Sequence, residues 1–208
     1  MAEPKREITT RETRYENRRI KSREFGYIDE NGIFVLHGKR TYWDENGQRS
    51  FEEEFVDGKP QGIYREWHDN GRLRSEDVYI DGKLSGTSLE WDENGTLIRR
   101  AEYRAGRLNG LVQEYGPGEN LLSEEPYDED ERHGRSVRYY EEGALSVEME
   151  YVHGKLHGGT RMFLPDGAEL LHATYDHGEL VSEQIAPKFA RMLEKMASAP
   201  PPKRKPLP

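Results

Sequence analysis

Short runs in which apolar and polar residues alternate, separated by turn-forming clusters, make up most of this chain. In Leu145-Ser-Val147-Glu-Met149-Glu-Tyr151 every apolar member is odd-numbered, and Leu171, Ala173 and Tyr175 obey the same rule. Successive strand residues point to opposite faces, so a period of two predicts strands rather than helices. Two turn signals recur between the runs. One is typified by Asp69-Asn70-Gly71 and the other by Asp81-Gly82. Asn and Gly enter the left-handed region at little cost, so such clusters reverse the chain and join the runs into hairpins.

The pattern repeats. Glycine stands at Gly38, Gly62, Gly86, Gly110, Gly134 and Gly158, always 24 residues apart. An aromatic residue follows five places later (Trp43, Trp67, Trp91, Tyr115, Tyr139, Phe163), and another twelve places after that (Phe55, Tyr79, Tyr103, Tyr127, Tyr151, Tyr175). Such self-similarity marks an array of one short unit. The expected fold is all-β: antiparallel hairpins, two strands per unit, forming an elongated twisted sheet, with a short C-terminal helix.

Turn chemistry also predicts the pairing. A three-residue loop with glycine in the left-handed position sets Trp67 opposite Leu73, Trp91 opposite Leu97, Tyr115 opposite Leu121 and Tyr139 opposite Leu145. Carried along both strands, that register gathers the odd-numbered apolar residues on one face. The candidate interaction face is therefore Trp43, Trp67, Trp91, Tyr115, Tyr139 and Phe163 with Leu73, Leu97, Tyr79 and Tyr103. The second kind of turn is expected to be a short hairpin of unspecified length.

The boundaries follow from composition. Residues 1–23 read as a charged, partly disordered N-terminal segment, residues 24–181 as the array and residues 24–37 as a degenerate half-unit. Pro187, Phe189, Met192, Leu193 and Met196 outline an amphipathic helix over 187–197, and 198–208 is a Pro-rich disordered tail. The fourth unit departs from the pattern, with Pro117-Gly118 in its first turn and no glycine in Asp128-Glu129-Asp130-Glu131. We read that as drift in a tolerant loop; the alternative is an acidic docking point for a basic partner.

Composition narrows the function. The chain is 33% hydrophobic and 34% charged, poor material for a thick core but sufficient for a thin repetitive one. Net charge is -9, while both termini are basic, which leaves -16 on residues 25–182. Such an array repels nucleic acid and anionic lipid, so membrane association is not expected and a basic or apolar protein partner is. There is no cysteine, which excludes disulfides and thiolate chemistry. The N-terminus lacks the apolar stretch of a secretory signal and the longest apolar run, Ile33–Leu36, is far short of a membrane helix, so a cytoplasmic protein is expected.

No catalytic constellation stands out. His37, His133 and His157 share one repeat position, and His153 and His177 share another, which marks them as residues of the unit. His153 and His157 have metal-like spacing but straddle Gly154 in a turn, so no metal or cofactor is expected. The carboxylates suit a solvated face, and no phosphate loop or nucleophile elbow is present. The protein is expected not to be an enzyme.

Gly62…Trp67…Asn70-Gly71-Arg72-Leu73, followed by Tyr79…Gly82-Lys83-Leu84-Ser85-Gly86, resembles the variant MORN repeat. The resemblance spans about residues 38–181, and such proteins are similar to the bacterial antitoxin-component-like (YwqK) type. It implies a ribbon of hairpins with a protein-interaction role and carries no catalytic residues. The expected function is a non-enzymatic binding module, of antitoxin or immunity type. Its alternatives are a self-associating scaffold, with a second copy of the chain as partner, and a peripheral membrane adaptor.

Overall fold

The computed structural model describes residues 6–187 and 189–191. Its strands are β1 (Thr9–Arg14), β2 (Ile20–Ile28), β3 (Phe34–Trp43), β4 (Arg49–Val56), β5 (Lys59–Pro60), β6 (Gly62–Trp67), β7 (Leu73–Ile80), β8 (Lys83–Leu84) and β9 (Gly86–Trp91). They continue as β10 (Leu97–Arg104), β11 (Arg107–Tyr115), β12 (Leu121–Asp128), β13 (Glu131–Arg132), β14 (Gly134–Tyr139), β15 (Leu145–Val152), β16 (Lys155–Phe163), β17 (Glu169–Asp176) and β18 (Glu179–Ile185). Together they make one antiparallel meander. Each strand pairs with its neighbours in sequence, and β5, β8 and β13 are the detached first residues of β6, β9 and β14. Among the described residues no ladder returns from β18 to β1, so the sheet is open.

The first kind of turn is the expected three-residue loop. The His68 N–H donates to the Arg72 carbonyl (2.9 Å), and the Gly71 N–H to the His68 carbonyl (2.8 Å), with Gly71 at φ +81°. In the irregular fourth unit the Gly116 N–H bonds the Asn120 carbonyl in the same way. Glu119, at φ +61°, there occupies the left-handed position that glycine holds elsewhere. The loop keeps its length although its glycine has moved to position 118.

The second kind of turn is a two-residue loop. Val56 pairs with Lys59 and Ile80 with Lys83, and both central residues have positive φ (Asp57 +50°, Gly58 +78°). These are type I′ turns, whose twist matches that of the flanking strands. Each is tied to the preceding unit. The N–H groups of Gly58, Gly82, Gly106, Gly154 and Gly178 donate to the carbonyls of Leu36, Pro60, Leu84, Arg132 and Leu156 over 2.7–2.9 Å. The fourth unit makes the same bond from Asp130 to Leu108 (3.0 Å).

The strands pair as expected at the loop and differently beyond it. Trp67 faces Leu73, Trp91 faces Leu97, Tyr115 faces Leu121 and Tyr139 faces Leu145. The next rung, however, joins Glu66 to Ser75, so Arg74 is an extra residue and the strand bulges. All six units carry this bulge. A one-residue slip sends every later side chain to the opposite face. Odd-numbered residues of a unit's two strands therefore share a face at the Trp–Leu rung only. Tyr79 lies opposite Gly62, five residues from Trp67 along an alternating strand, and so faces away from it. The expectation of one apolar face is corrected accordingly.

The core sits on the glycine-bearing face and is built of small side chains. Ser88, Val112, Ser136 and Thr160, each two residues after its unit's glycine, are buried. Ala101 pairs with both Ser88 and Val112, Ala173 pairs with Thr160, and both alanines are almost fully enclosed. Among the described residues, the hydroxyls of Ser136 and Thr160 have no hydrogen-bond partner. Phe55 and Tyr151 are the buried aromatics, each opposite its unit's glycine.

The ladder extends past both expected ends. Residues 9–23, assigned from sequence to the charged segment, form β1 and the start of β2, closed by a further three-residue loop between Tyr15 and Arg19. The array therefore begins at Thr9 rather than residue 24. Its last strand runs to Ile185, beyond 181. The N–H groups of Phe189 and Ala190 bond the Ala186 carbonyl (2.9 and 3.1 Å), which opens the expected helix at Pro187. The rest of that helix and the tail at 198–208 lie outside the described residues. Among those described, no helix is long and apolar enough to cross a membrane.

Candidate interaction surface

The ten candidate residues are all half-buried, but they fall on both faces. Trp43, Trp67, Trp91, Tyr115, Tyr139, Phe163, Leu73 and Leu97 lie next to the three-residue loops, at the last rung of their hairpins. Trp43 faces Arg49 and Phe163 faces Glu169 instead of leucine. Tyr79 and Tyr103 lie opposite Gly62 and Gly86 on the other side of the sheet. The loop-end aromatics thus form one row and the strand tyrosines a second.

The strand tyrosines have company that the pattern did not predict. Tyr42 stacks on Phe51 (centroids 4.4 Å apart), Phe51 lies 6.2 Å from Tyr64, and Tyr64 meets Tyr79 edge-on at 6.4 Å. Burial, with Glu66 and Glu53 nearby, pushes the Tyr64 phenol up to about 12. Tyr42, Phe51 and Tyr64 are confined to the first units and break the 24-residue rule, so repeat periodicity could not find them. An alternation count that allowed for the bulge would have.

The three-residue loops stack on one another and leave clefts between them. The Asn70 amide and the Arg72 guanidinium both donate to the Glu93 carbonyl of the next loop (2.7 and 3.1 Å). His68 Nε2 lies 2.9 Å from the Trp91 carbonyl oxygen, and the Tyr140 hydroxyl donates to that of Phe163 (2.8 Å). A cleft of about 460 Å³ opens beside Trp67 and Phe51. Its wall carries four carboxylates (Asp44, Glu66, Asp69, Glu93) against two guanidiniums (Arg49, Arg74). Arg74 is engaged with Glu66 at 3.0 Å, and Arg49 lies over the Trp67 ring at 5.7 Å. A second cleft of about 440 Å³, beside Tyr115, Ile98 and Pro117, opens between the loops of the third and fourth units.

The fourth unit's acidic turn is largely occupied by its own neighbours. Glu129 binds both Arg104 and Arg107 (2.9 and 2.8 Å), and these hydrogen bonds hold its carboxyl below the usual range. Asp130 accepts the Leu108 N–H (2.8 Å) and Asp128 the Asn109 amide (3.0 Å). Three of the four carboxylates that could have docked a basic partner are thus engaged by residues 104–109 around the adjoining turn.

The histidines pair across units rather than within a turn. His157 packs edge-on against His177 (centroids 4.8 Å) and His133 against His153 (5.1 Å), each partner twenty residues on. His153 and His157, the pair singled out by spacing, belong to different partnerships.

Four segments match the model of the MORN repeat variant: residues 36–57, 60–81, 84–105 and 132–153. They support a protein built of MORN repeats. The frame passes over 108–129, the unit with Pro117 and the glycine-free turn, which nevertheless folds as the same hairpin. No curated protein matches the chain. Among solved structures, the crystal structure of a protein with unknown function from Bacteroides fragilis NCTC 9343 aligns at 9% identity, covering 89% of this chain and 96% of that one. The TM-score of that alignment is 0.18.

Proposed function

We propose that the array is a protein-binding module with no chemistry of its own, which takes up a basic segment of a partner along its loop-end edge. An antitoxin or immunity role, in which such binding occludes the partner, is the specific form this takes. The observation that carries it is the cleft beside Trp67: an aromatic wall of the kind that anchors interfaces, rimmed by an excess of carboxylate, with a net charge of -16 on residues 25–182. The stacking of Arg49 over the Trp67 ring, 5.7 Å from its centroid, supports this reading, because a guanidinium from a partner would seek the same kind of contact.

The test uses fluorescence titration of the tag-free chain with Arg/Lys-rich peptides and with acidic peptides of equal length. Basic peptides are expected to bind, and to weaken as salt rises. Trp67→Ala is expected to reduce affinity roughly tenfold, the scale of an interface anchor, with the circular dichroism spectrum retained. Equal response to both peptide classes, or unchanged affinity in Trp67→Ala, would sink the proposal.

One observation favours self-association as a second reading. The edge strand β18 is exposed over nearly its whole length, including Leu180 (51%) and Val181 (64%), and among the described residues it pairs with β17 alone. A monomer in sedimentation equilibrium at micromolar concentration removes that reading.

A further inference from the structure

We propose that His157, Asp176 and His177 form a binding site for a divalent transition-metal ion of the zinc, nickel or copper class. The three residues offer two imidazole nitrogens and a carboxylate oxygen whose ligating atoms all lie within 4.8 Å of one another. Among the described residues this is the one such trio of potential ligands.

The fold brings them together. His177 is the first residue of the last type I′ turn, at φ +50°, and Asp176 is the strand residue just before it. The Gly178 N–H donates to the Leu156 carbonyl at 2.7 Å, which fastens this turn to β16 next to His157. Both rings then converge on one carboxylate. His177 Nδ1 lies 2.6 Å and His157 Nδ1 3.2 Å from the same Asp176 oxygen, and the rings meet at 66°. The backbone N–H of His177 also lies 3.4 Å from His157 Nδ1, so the turn itself holds the two residues together.

Imidazole with carboxylate is the donor set for borderline divalent ions, and hard ions such as magnesium prefer oxygen alone. Ligands around a tetrahedral ion sit roughly 3.4 Å apart. The widest separation of 4.8 Å must therefore close by about 1.4 Å while the 2.6 Å His177–Asp176 pair opens, movements that three partly exposed side chains (41–69%) can make. Three protein ligands leave a further coordination position open to water or to a group from a partner. The ion would staple β16 to the last hairpin of the array.

The neighbouring pair His133 and His153 serves as an internal control. It repeats the ring contact, but its carboxylate, Glu131, comes from a different repeat position and reaches His153 at 3.6 Å.

Calorimetric titration of the tag-free full chain with zinc and nickel chloride tests the site, with magnesium chloride as the control. One zinc or nickel ion per chain is expected, together with a higher unfolding temperature in zinc, because the unfolded chain lacks the site. The double variant His157→Ala/His177→Ala should bind at least tenfold more weakly and lose the thermal shift, while His133→Ala/His153→Ala keeps both. The absence of saturable binding, binding unchanged in the first variant, or loss in both variants would overturn the proposal.

Discussion

At the scale of single residues, the unit's glycine is held by its surroundings as much as by its backbone. Gly110 has φ +121°, and a Cβ there would lie 2.8 Å from Glu102 Cβ on the adjoining strand. Gly143, in a three-residue loop, has φ +85° and open space around it. Gly143→Ala therefore meets only the left-handed penalty, roughly 1–2 kcal/mol. Gly110→Ala adds a steric clash and is expected to lose about 1–2 kcal/mol more. Urea unfolding of both variants checks the order; equal losses would show that the strand at Glu102 yields freely.

At the scale of the element, the type I′ turn tolerates poor residues where other contacts hold it. Ala105 occupies a first turn position at φ +51° with its side chain exposed, while its N–H donates to the Ser85 hydroxyl (3.1 Å). Asparagine accepts this conformation more cheaply than alanine. Ala105→Asn is expected to stabilise the chain by about 0.5–1 kcal/mol in urea, and a loss of stability would contradict the turn assignment. The Glu129-Asp130 turn lacks both glycine and asparagine, and there Arg104 and Arg107 supply the compensation.

At the scale of the whole molecule, ion pairing makes stability depend on acid. Hydrogen bonds from Arg23 lower the Glu12 carboxyl, and those from the Thr96 and Asn94 N–H groups lower Asp92. At Glu148 and Asp57 burial acts upward, but partners win: Arg135 and Arg161 for the first, His37, Tyr27 and Arg6 for the second. With Glu129, all five are lowered, so the unfolded chain takes up their protons first. Their contribution is complete above the unfolded carboxylate pKa of about 4 and disappears as pH falls through the lower folded values. Asp77, raised by burial, works in the opposite direction. Since five outnumber one, the urea midpoint is expected to fall steadily below about pH 4. A midpoint that held or rose down to about pH 3 would contradict this.

What the sequence determined by itself was local. The 24-residue period, the hairpins, the three-residue loops and the Trp67–Leu73 rung all follow from turn chemistry and alternation within a dozen residues, and the structure bears each out. Tertiary structure decided whatever depends on register between strands. The bulge at Arg74 has no residue signature of its own, yet it inverts the faces, parts Tyr79 and Tyr103 from the Trp67 row and turns small residues such as Ser136 and Ala173 into the core. Register also joined His157 to His177 rather than to His153 and carried the sheet out to Thr9. The physical reason is that a strand's alternation is written in its own residues, whereas which rung it occupies is chosen by the summed pairing energy of its neighbours.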